Sequence, residues 1–290
     1  MNTEWEGDGP AALSPEYHAR AWERLGSEQF DVVVVGGGVV GVGAALDAAT
    51  RGLRVALVEA RDIASGTSSR SSKMFHGGLR YLEQLEFGLV REALRERELS
   101  LRLLAPHLVR PLPFLFPLTK RLWERPYVSA GLFLYDRMGG AKSVPGQSQV
   151  TRSGALRVAP ALKRNSLIGG IRYYDTVVDD ARHSLTVART AAHYGAVIRT
   201  STQVVGFLKE SDRVLGVRVR DTETGDITEV RGHCVINAAG VWTVQNVPLG
   251  SYGLAIKNGR KWSVTLMSDM ADGMKSGEVY DTGSLSLDKK

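Results

Sequence analysis

The first element that the hydrophobic pattern predicts is a buried strand at residues 30–35. Its four consecutive valines show no alternation with polar residues, which is typical of a strand covered on both faces in a parallel sheet. Three glycines at 36–38 end the strand, and the alanine-rich stretch at 39–50 predicts a helix that Gly52 terminates. A second apolar strand follows at 54–59. This strand–helix–strand unit predicts a parallel sheet with a crossover helix.

The rest of the chain alternates between helical patterns and patterns of short strands. Before residue 168 the pattern predicts helices at 89–104 and 128–138, no long helix across the prolines at 106–117, and a loop at 141–154. Beyond Ile168 it predicts a helix at 180–193, strands at 197–199, 204–208, 214–220 and 227–230, and one more buried strand at 234–240. The alternating strands between turns favour an antiparallel meander. The sequence therefore predicts an α/β fold with a parallel sheet plus an antiparallel meander.

Composition narrows the class of protein. Hydrophobic residues make up 43% of the chain and charged residues 23%, as in an ordinary soluble globular protein. Cys234 is the only cysteine, which excludes an internal disulfide and a cysteine-built metal centre and fits a reducing compartment. The six histidines show no spacing typical of zinc ligands, so no metal site is predicted.

Charge is distributed unevenly along the chain. The net charge is +6, with −4 on residues 1–29 and +1 on residues 251–290, which leaves +9 on residues 30–250. A basic body suits an anionic cofactor, an anionic substrate or an anionic membrane surface. Nucleic acid is not predicted as a partner, because the chain has no helix-turn-helix, zinc-finger or aromatic RNA-binding signature.

Neither a signal peptide nor a transmembrane segment is predicted. The first thirty residues are polar and acidic, without an apolar core segment. The uncharged run at 32–46 is shorter than the ~20 apolar residues that span a bilayer. A longer uncharged run at 235–256 contains two asparagines, a glutamine and a proline.

The glycines of the first turn carry the most informative motif. Gly36-x-Gly38-x-x-Gly41 lies between a strand and a helix, and Glu59 ends the next strand. In dinucleotide-binding folds the first glycine permits the tight turn, the second admits a pyrophosphate, and the third allows close packing of helix and strand. The acid would accept hydrogen bonds from a ribose. The motif predicts dinucleotide binding, the alternative being a glycine-rich turn in another α/β fold.

Later segments resemble a particular flavoprotein family. The matching segments are 36–43, Glu59-Ala60, 67–69, 71–73, His76-Gly77-Gly78-Leu79-Arg80-Tyr81-Leu82-Glu83, Tyr174-Asp175, 178–182 and Asn237-Ala238-Ala239-Gly240-x-Trp242. Together they resemble the FAD-dependent glycerol-3-phosphate dehydrogenases, over about residues 30–242. The resemblance implies a Rossmann-like FAD-binding domain with FAD as the cofactor. It also implies oxidation of sn-glycerol 3-phosphate to dihydroxyacetone phosphate, with the electrons passed to a quinone.

The resemblance also implies which residues contact the cofactor. Besides Gly36, Gly38, Gly41 and Glu59, these are Ala60, Thr67, Ser68, Ser69, Ser72, Lys73, His76, Gly77, Gly78, Leu79 and Gly240. Small residues would let backbone N–H groups reach phosphates and the ring edge of the flavin. The alternatives are a solvated loop for the serine stretch, a structural role for His76 and a strand-terminating turn at Gly240.

Arg80 is the residue that the resemblance assigns to the substrate phosphate. A guanidinium group can bind a phosphate dianion through two parallel hydrogen bonds. The alternative is a surface ion pair with Glu83 or Glu86. The catalytic residues, including the base that takes the C2 hydroxyl proton, are not assigned.

The partners follow from the same resemblance. They are glycerol 3-phosphate, a quinone, a peripheral membrane surface and a second copy of the chain in a homodimer. The basic, leucine-rich region 91–125 carries Phe114, Phe116 and Trp123 and could lie on an anionic bilayer, or be a solvated helix face over buried leucines. We expect a cytoplasmic protein at the inner face of the cell membrane.

Domain boundaries are predicted from the changes in pattern. We expect a polar leader at 1–29 with a weak helix at 15–25, an FAD-binding domain at 30–105 and 165–245, an incomplete inserted substrate or cap region at 106–164, and an atypical tail at 246–290. Family members continue beyond the Asn-Ala-Ala-Gly segment into features that residues 243–290 do not match. We therefore expect a truncated, frameshifted or rearranged product that binds FAD weakly and is inactive in isolation. An FAD-dependent oxidase of the amino-acid or amine type and a non-catalytic nucleotide-binding fragment stay open.

Overall fold

The computed structural model describes residues 12–120, 122–138, 143–211, 213–239, 253–258 and 261–266. Side chains are described for these residues except Arg80, 253–258 and 261–266. The chain divides into two compact units, Met1–Leu208 with Leu215–Ala239, and Lys209–Val214 with Gly240–Lys290. In the second unit, the strands Gly253–Asn258 and Lys261–Leu266 form an antiparallel pair.

The described elements include both helices and strands, as an α/β fold requires. The helices are α1 Pro15–Ser27, α2 Val39–Thr50, α3 Arg80–Glu83, α4 Phe87–Leu99, α5 Glu124–Met138, α6 Arg152–Val158 and α7 Asp180–His193. The strands are β1 Gln29–Val35, β2 Val55–Val58, β3 Met74–Phe75, β4 Arg110–Leu118, β5 Ser148–Thr151, β6 Gly169–Val177, β7 Val197–Arg199, β8 Thr202–Glu210, β9 Arg213–Asp221, β10 Ile227–Asn237, β11 Gly253–Asn258 and β12 Lys261–Leu266.

A six-stranded sheet in the order β7-β2-β1-β10-β9-β8 forms the larger framework. Strands β7, β2, β1 and β10 are parallel, and β9 runs antiparallel to β10. All four residues of β2 are buried, as is the end of β1, because helices cover a parallel sheet on its faces. The predicted α/β fold with a parallel sheet and an antiparallel meander is confirmed.

Strand β10 differs from its prediction in two ways. The sequence suggests separate strands at 227–230 and 234–240, but one strand, Ile227–Asn237, covers the first and continues into the second, ending at Asn237. It pairs with β9 through residues 227–231 and with β1 through residues 231–237. The predicted burial of 234–240 is wrong: none of the described residues 234–239 is buried, and Cys234, Asn237 and Ala239 are exposed. Beyond Arg231, β1 is the only neighbour of the strand among the described residues.

A second sheet is built around β6. Strands β3, β4 and β5 all pair antiparallel with β6. Prolines 111, 113 and 117 lie in β4 at the edge of this sheet, a position that tolerates their missing N–H groups. The loop predicted at 141–154 is wrong for β5 and the start of α6. These elements are short, and β5 is defined by its pairing with β6 rather than by a local pattern.

The helices predicted from the apolar periodicity are present, but some of them begin or end at other residues than predicted. The predictions for α2 and α7 match the structure at both ends. The helix predicted at 89–104 begins at Phe87 and changes at Ser100–Leu104 into a π-helix. Helix α5 begins four residues before the predicted Val128. Among the described residues, no helix combines the length and the apolar character needed to cross a lipid bilayer.

Helix α1, inside the predicted polar leader, packs on the sheet. Its apolar face buries Tyr17, Ala21 and Leu25. The Tyr17 hydroxyl donates to the carbonyl of Ala196 and accepts the N–H of Ile198, at 3.0 Å in each case. The helical stretch predicted at 15–25 is confirmed, and the domain boundaries stay predictions.

Candidate dinucleotide site

The glycine loop joins β1 to α2 and leaves no space for side chains. Gly36 has a φ of +107°, and a Cβ there would lie 2.9 Å from the backbone of Ala238 and Ala239. A Cβ on Gly41 would lie 1.9 Å from the carbonyl oxygen of Gly36. The Ala238 N–H donates to the Val35 carbonyl at 2.8 Å. The end of β10 therefore lies directly against the loop.

The N-terminus of α2 has the features of an anion site. Its N-cap is Gly38, and its first turn contains no acidic residue. The first N–H groups of a helix have no acceptor within the helix, and the helix dipole is positive at that end. Val39 and Val40 are 42% and 69% exposed there. The turn thus presents backbone donors and apolar surface to a ligand.

Glu59 is held beside the glycine loop. Its Oε2 accepts the N–H of Gly37 at 2.7 Å, and its Oε1 accepts the N–H of Arg61 at 2.9 Å. Each carboxylate oxygen retains a second lone pair for a hydroxyl donor. The position at the end of β2 is the one expected for a ribose-binding acid, and that role stays a prediction. Ala60, which follows, is exposed.

The serine stretch reaches the glycine loop through Ser68. Its Oγ accepts the N–H of Val39 at 2.9 Å, so the hydroxyl lies at the start of α2. Thr67, Ser68 and Ser69 form a single 3-10 turn, and Ser69 donates to the Gly66 carbonyl at 3.2 Å. The structure therefore brings together two segments that lie 29 residues apart.

The continuation from Ser71 to Phe75 lies against other elements. The Ser71 hydroxyl contacts Asp180 at the start of α7 and accepts the N–H of Lys73. Lys73 has a φ of +57°, an uncommon conformation for a residue with a Cβ. Ser72 and Lys73 are exposed, and β3 pairs with β6 immediately afterwards. The residues predicted to contact the flavin at 72 and 73 are therefore held between Ser71, which contacts α7, and β3, which pairs with β6.

The His76–Leu79 segment turns sharply before α3. His76 is exposed, whereas Gly77 and Gly78 are buried. Gly78 has a φ of +71°. Leu79 packs against two clusters of buried apolar residues. Arg80 begins α3, but its side chain and the whole of Gly240 lie outside the described part, so their predicted roles stay predictions.

A buried polar cluster beside Gly77 is absent from the sequence-based predictions. Asp175 accepts hydrogen bonds from Arg97 Nη1 at 2.7 Å and from the Tyr135 hydroxyl at 3.0 Å. Burial and the nearby Asp175 raise the pKa of Tyr135 above its ordinary value, so the phenol keeps its proton. The spacing Val90-Leu94-Arg97 places the arginine on the buried face of α4. That spacing is the available signal, but no local pattern indicates the partners.

The described residues contain no cluster suited to a metal ion. Among the described side chains, no group of three or more His, Cys, Asp or Glu residues could hold a metal ion. The residues around the glycine loop fit FAD instead. Gly36 and Gly41 leave no room for a Cβ, the α2 N-terminus suits a diphosphate, and Glu59 and Ser68 offer polar groups at its edge.

Comparisons with known proteins agree with this geometry. The family FAD dependent oxidoreductase matches residues 31–273, which extends beyond Trp242, where the resemblance in the motifs ends. Glycerol-3-phosphate dehydrogenase from Mycobacterium leprae is 79% identical over 233 residues, 80% of this chain and 40% of that protein. The mitochondrial glycerol-3-phosphate dehydrogenase of Homo sapiens is 43% identical over 242 residues, 79% of this chain and 33% of that protein.

A solved structure of a glycerol-3-phosphate dehydrogenase is also similar to this chain. Glycerol-3-phosphate dehydrogenase from Bacillus halodurans, complexed with FAD, superposes with a TM-score of 0.59 at 29% identity, covering 78% of this chain and 37% of that one. The resemblance predicted from the motifs is confirmed. This chain spans about 40% of the length of the mycobacterial relatives it matches. With more than half of its residues matched by the family, the chain belongs to the FAD dependent oxidoreductase family.

Proposed function

We propose that the chain forms the FAD-binding part of an enzyme that oxidises sn-glycerol 3-phosphate to dihydroxyacetone phosphate. The observation that carries the proposal is its 79% identity over 233 residues to a protein named glycerol-3-phosphate dehydrogenase. The predicted FAD cofactor is confirmed by the family match and the related structure complexed with FAD, and the glycine loop is compatible with it. The substrate is proposed, because the chain covers 40% of that relative.

The described residues bind and orient the cofactor. The α2 N-terminus would hold the diphosphate, with the Val39 N–H turning from Ser68 Oγ to a phosphate oxygen. Glu59 would accept a ribose hydroxyl while keeping its hydrogen bond to Gly37. The bound cofactor would supply the redox chemistry: removal of a hydride from C2 of the substrate as the C2 hydroxyl loses its proton, and transfer of two electrons to an acceptor that we propose is a quinone.

Arg80 is proposed to bind the substrate phosphate. It is placed at the first position of α3, directly after the Gly77-Gly78-Leu79 turn. This placement puts its backbone at the end of the segment proposed to line the flavin. A guanidinium group matches a phosphate dianion in charge and in geometry.

An anionic membrane surface is a further proposed partner. Leu122, Trp123 and Tyr127 are 91%, 55% and 60% exposed at the start of α5. The Lys120 ammonium lies 4.9 Å from the centre of the Trp123 ring. Exposed aromatic residues next to bases suit the boundary between headgroups and acyl chains. We propose that the protein is cytoplasmic and peripheral on the inner face of the membrane, and the homodimer stays a prediction.

Single-turnover reduction of bound FAD tests the proposed reaction. The pure chain, in excess over FAD, is placed under anaerobic conditions, and the visible spectrum is recorded before and after addition of sn-glycerol 3-phosphate. We expect the flavin spectrum to shift on binding. Bleaching with this substrate, but not with glycine, sarcosine or other amino acids, would support the proposed reaction and would show that this chain suffices for flavin reduction, contrary to its expected inactivity. Excess protein is used because we expect weak FAD binding and negligible steady-state turnover by this chain.

The other outcomes separate the alternative functions. Bleaching by an amino acid or amine instead would place the chain with the amino-acid and amine oxidases. Bound flavin that stays oxidised with every substrate would mark the chain as an incomplete part of the enzyme or as a non-catalytic nucleotide-binding protein. A folded chain that binds no FAD at all would contradict the cofactor itself.

A further inference from the structure

Asp175 is the centre of a buried polar cluster that joins three distant segments of the chain. Besides Arg97 and Tyr135, it accepts the N–H of Gly77 at 3.3 Å. The Gly77 N–H lies closer to the Tyr135 hydroxyl oxygen, at 2.8 Å. Arg97, Tyr135 and Asp175 are 5%, 1% and 4% exposed. The cluster therefore connects α4, α5 and β6 to a single backbone amide.

The direction of each hydrogen bond is fixed by the chemistry of the groups. Arg97 can only donate and ionised Asp175 can only accept. The Tyr135 hydroxyl consequently donates its proton to Asp175 and accepts the Gly77 N–H on its oxygen. Donor and acceptor match in the three bonds among Arg97, Tyr135, Asp175 and Gly77, while Arg97 Nε is buried without a hydrogen-bond partner among the described residues. The matched bonds favour one arrangement of the side chains that make them.

Gly77 is closely surrounded by neighbouring side chains. A Cβ there would lie 2.2 Å from Leu94 Cδ2 and 2.5 Å from the Tyr135 hydroxyl oxygen. The next residue, Gly78, accepts the N–H of Tyr81 at 2.8 Å, which links the turn to α3. Arg97 also lines a cavity of about 310 Å³ together with His76. A displacement of Gly77 would thus be transmitted to His76 on one side and to α3 on the other.

We propose that Arg97, Tyr135 and Asp175 are positioning residues that hold Gly77 and thereby set the His76–Arg80 turn for the flavin and the substrate phosphate. This inference rests on the proposed function, because the position of the turn affects binding only if the turn contacts FAD and the substrate phosphate. Tyr135 is the member that contacts Gly77 most closely and can be altered with least damage. Arg97 and Asp175 form a buried ion pair, and removing either partner would leave an uncompensated charge.

The test compares Tyr135→Phe with a matched control, Tyr17→Phe. Both changes remove one buried hydroxyl that accepts a backbone N–H and donates to an oxygen. Tyr17 contacts Ala196 and Ile198, which are not part of the proposed site. The readouts are the dissociation constant for FAD, from quenching of flavin fluorescence, the absorption spectrum of bound flavin, the dissociation constant for sn-glycerol 3-phosphate and the melting temperature.

We expect both variants to melt at similarly lowered temperatures but to differ in ligand binding. Tyr135→Phe should weaken FAD and substrate binding about five- to tenfold, as expected for one lost hydrogen bond, and alter the bound-flavin spectrum. Tyr17→Phe should leave the spectrum and both dissociation constants unchanged. If Tyr135→Phe does not fold, Arg97→Lys serves instead, because it keeps a positive charge beside Asp175 and changes only the geometry of the hydrogen bond.

Two contrary outcomes have different meanings. Equal FAD and substrate affinities and identical flavin spectra in the two variants would show that the cluster is purely structural, which overturns this inference and leaves the proposed function intact. A folded, unaltered chain that binds no FAD would overturn both.

Discussion

At the scale of single residues, the space around the backbone of the first turn restricts positions 36 and 41 to glycine. Gly36 needs its positive φ, and Gly41 needs the absence of a Cβ, because Gly36 and Gly41 touch each other across the turn. Gly43, which follows in the same helix, has no atom within 4 Å of an added Cβ. Gly41 and Gly43, two residues apart in the same helix, are therefore under different constraints.

Replacement of two glycines in α2 tests this difference. Gly41→Ala should destabilise the FAD-free chain by about 1–3 kcal/mol or more, because its Cβ overlaps the Gly36 carbonyl. Gly43→Ala should stabilise it by up to about 1 kcal/mol, because alanine favours the helical conformation. Urea unfolding without cofactor measures both. Equal effects of the two changes would contradict the close contact between Gly41 and Gly36.

At the scale of elements, a buried arginine attaches α1 to the sheet. Arg199 donates to the His18 carbonyl at 3.2 Å, to Thr202 Oγ1 at 2.7 Å and to Asp221 Oδ2 at 2.6 Å. Its guanidinium carbon lies 4.6 Å from the centre of the Trp22 ring. One side chain thus links α1, β7, β8 and β9, and its loss should affect all of them.

Removal of this guanidinium should be costly. Arg199→Met should lower the free energy of unfolding by about 3 kcal/mol, because Asp221 is left buried without its cation. The matched control is Arg51→Met, which removes an exposed i,i+4 ion pair with Asp47 and should change stability little. Denaturant unfolding followed by tryptophan fluorescence measures both. An equally small effect at position 199 would mean that α1 is not held by this cluster.

At the scale of the whole molecule, the distribution of charge suggests a peripheral membrane protein. Residues 30–250 carry +9, while the first 29 carry −4. Lys120 and Arg125 lie close in sequence to the exposed Trp123 and Tyr127. Basic and aromatic groups on one short segment combine electrostatic attraction with insertion of apolar surface.

Charge reversal at this segment tests the membrane proposal. Replacing Lys120, Arg121 and Arg125 with glutamate should weaken binding to phosphatidylserine vesicles by at least about 100-fold. Each base near an anionic surface contributes about 1 kcal/mol to binding, and three such contributions are lost. The control replaces the exposed bases Arg157 and Lys163 with glutamate. Co-sedimentation at low and at high salt measures both. Unchanged co-sedimentation of the first variant would end the proposal.

Local pattern explains where predictions from sequence succeed. The predicted bounds of the α2 and α7 helices and of the β7 strand are those found in the structure. Their signals are a periodic apolar face, glycine stops and an apolar run, all contained within the element itself. The loop predicted at 141–154 fails because β5 is a strand only through its pairing with β6.

Local sequence is enough to predict the strand–glycine–helix unit, the acid that follows it and the family, because these depend on backbone conformation and on residues close together in the chain. Long-range packing specifies that β10 ends against Gly36, that Ser68 lies at the start of α2, and that Arg97, Tyr135 and Asp175 meet at Gly77. The contacts of Ser68 with α2 and within the Asp175 cluster join residues 29 to 98 positions apart. No local pattern specifies such partners, because they meet only when separate elements pack together.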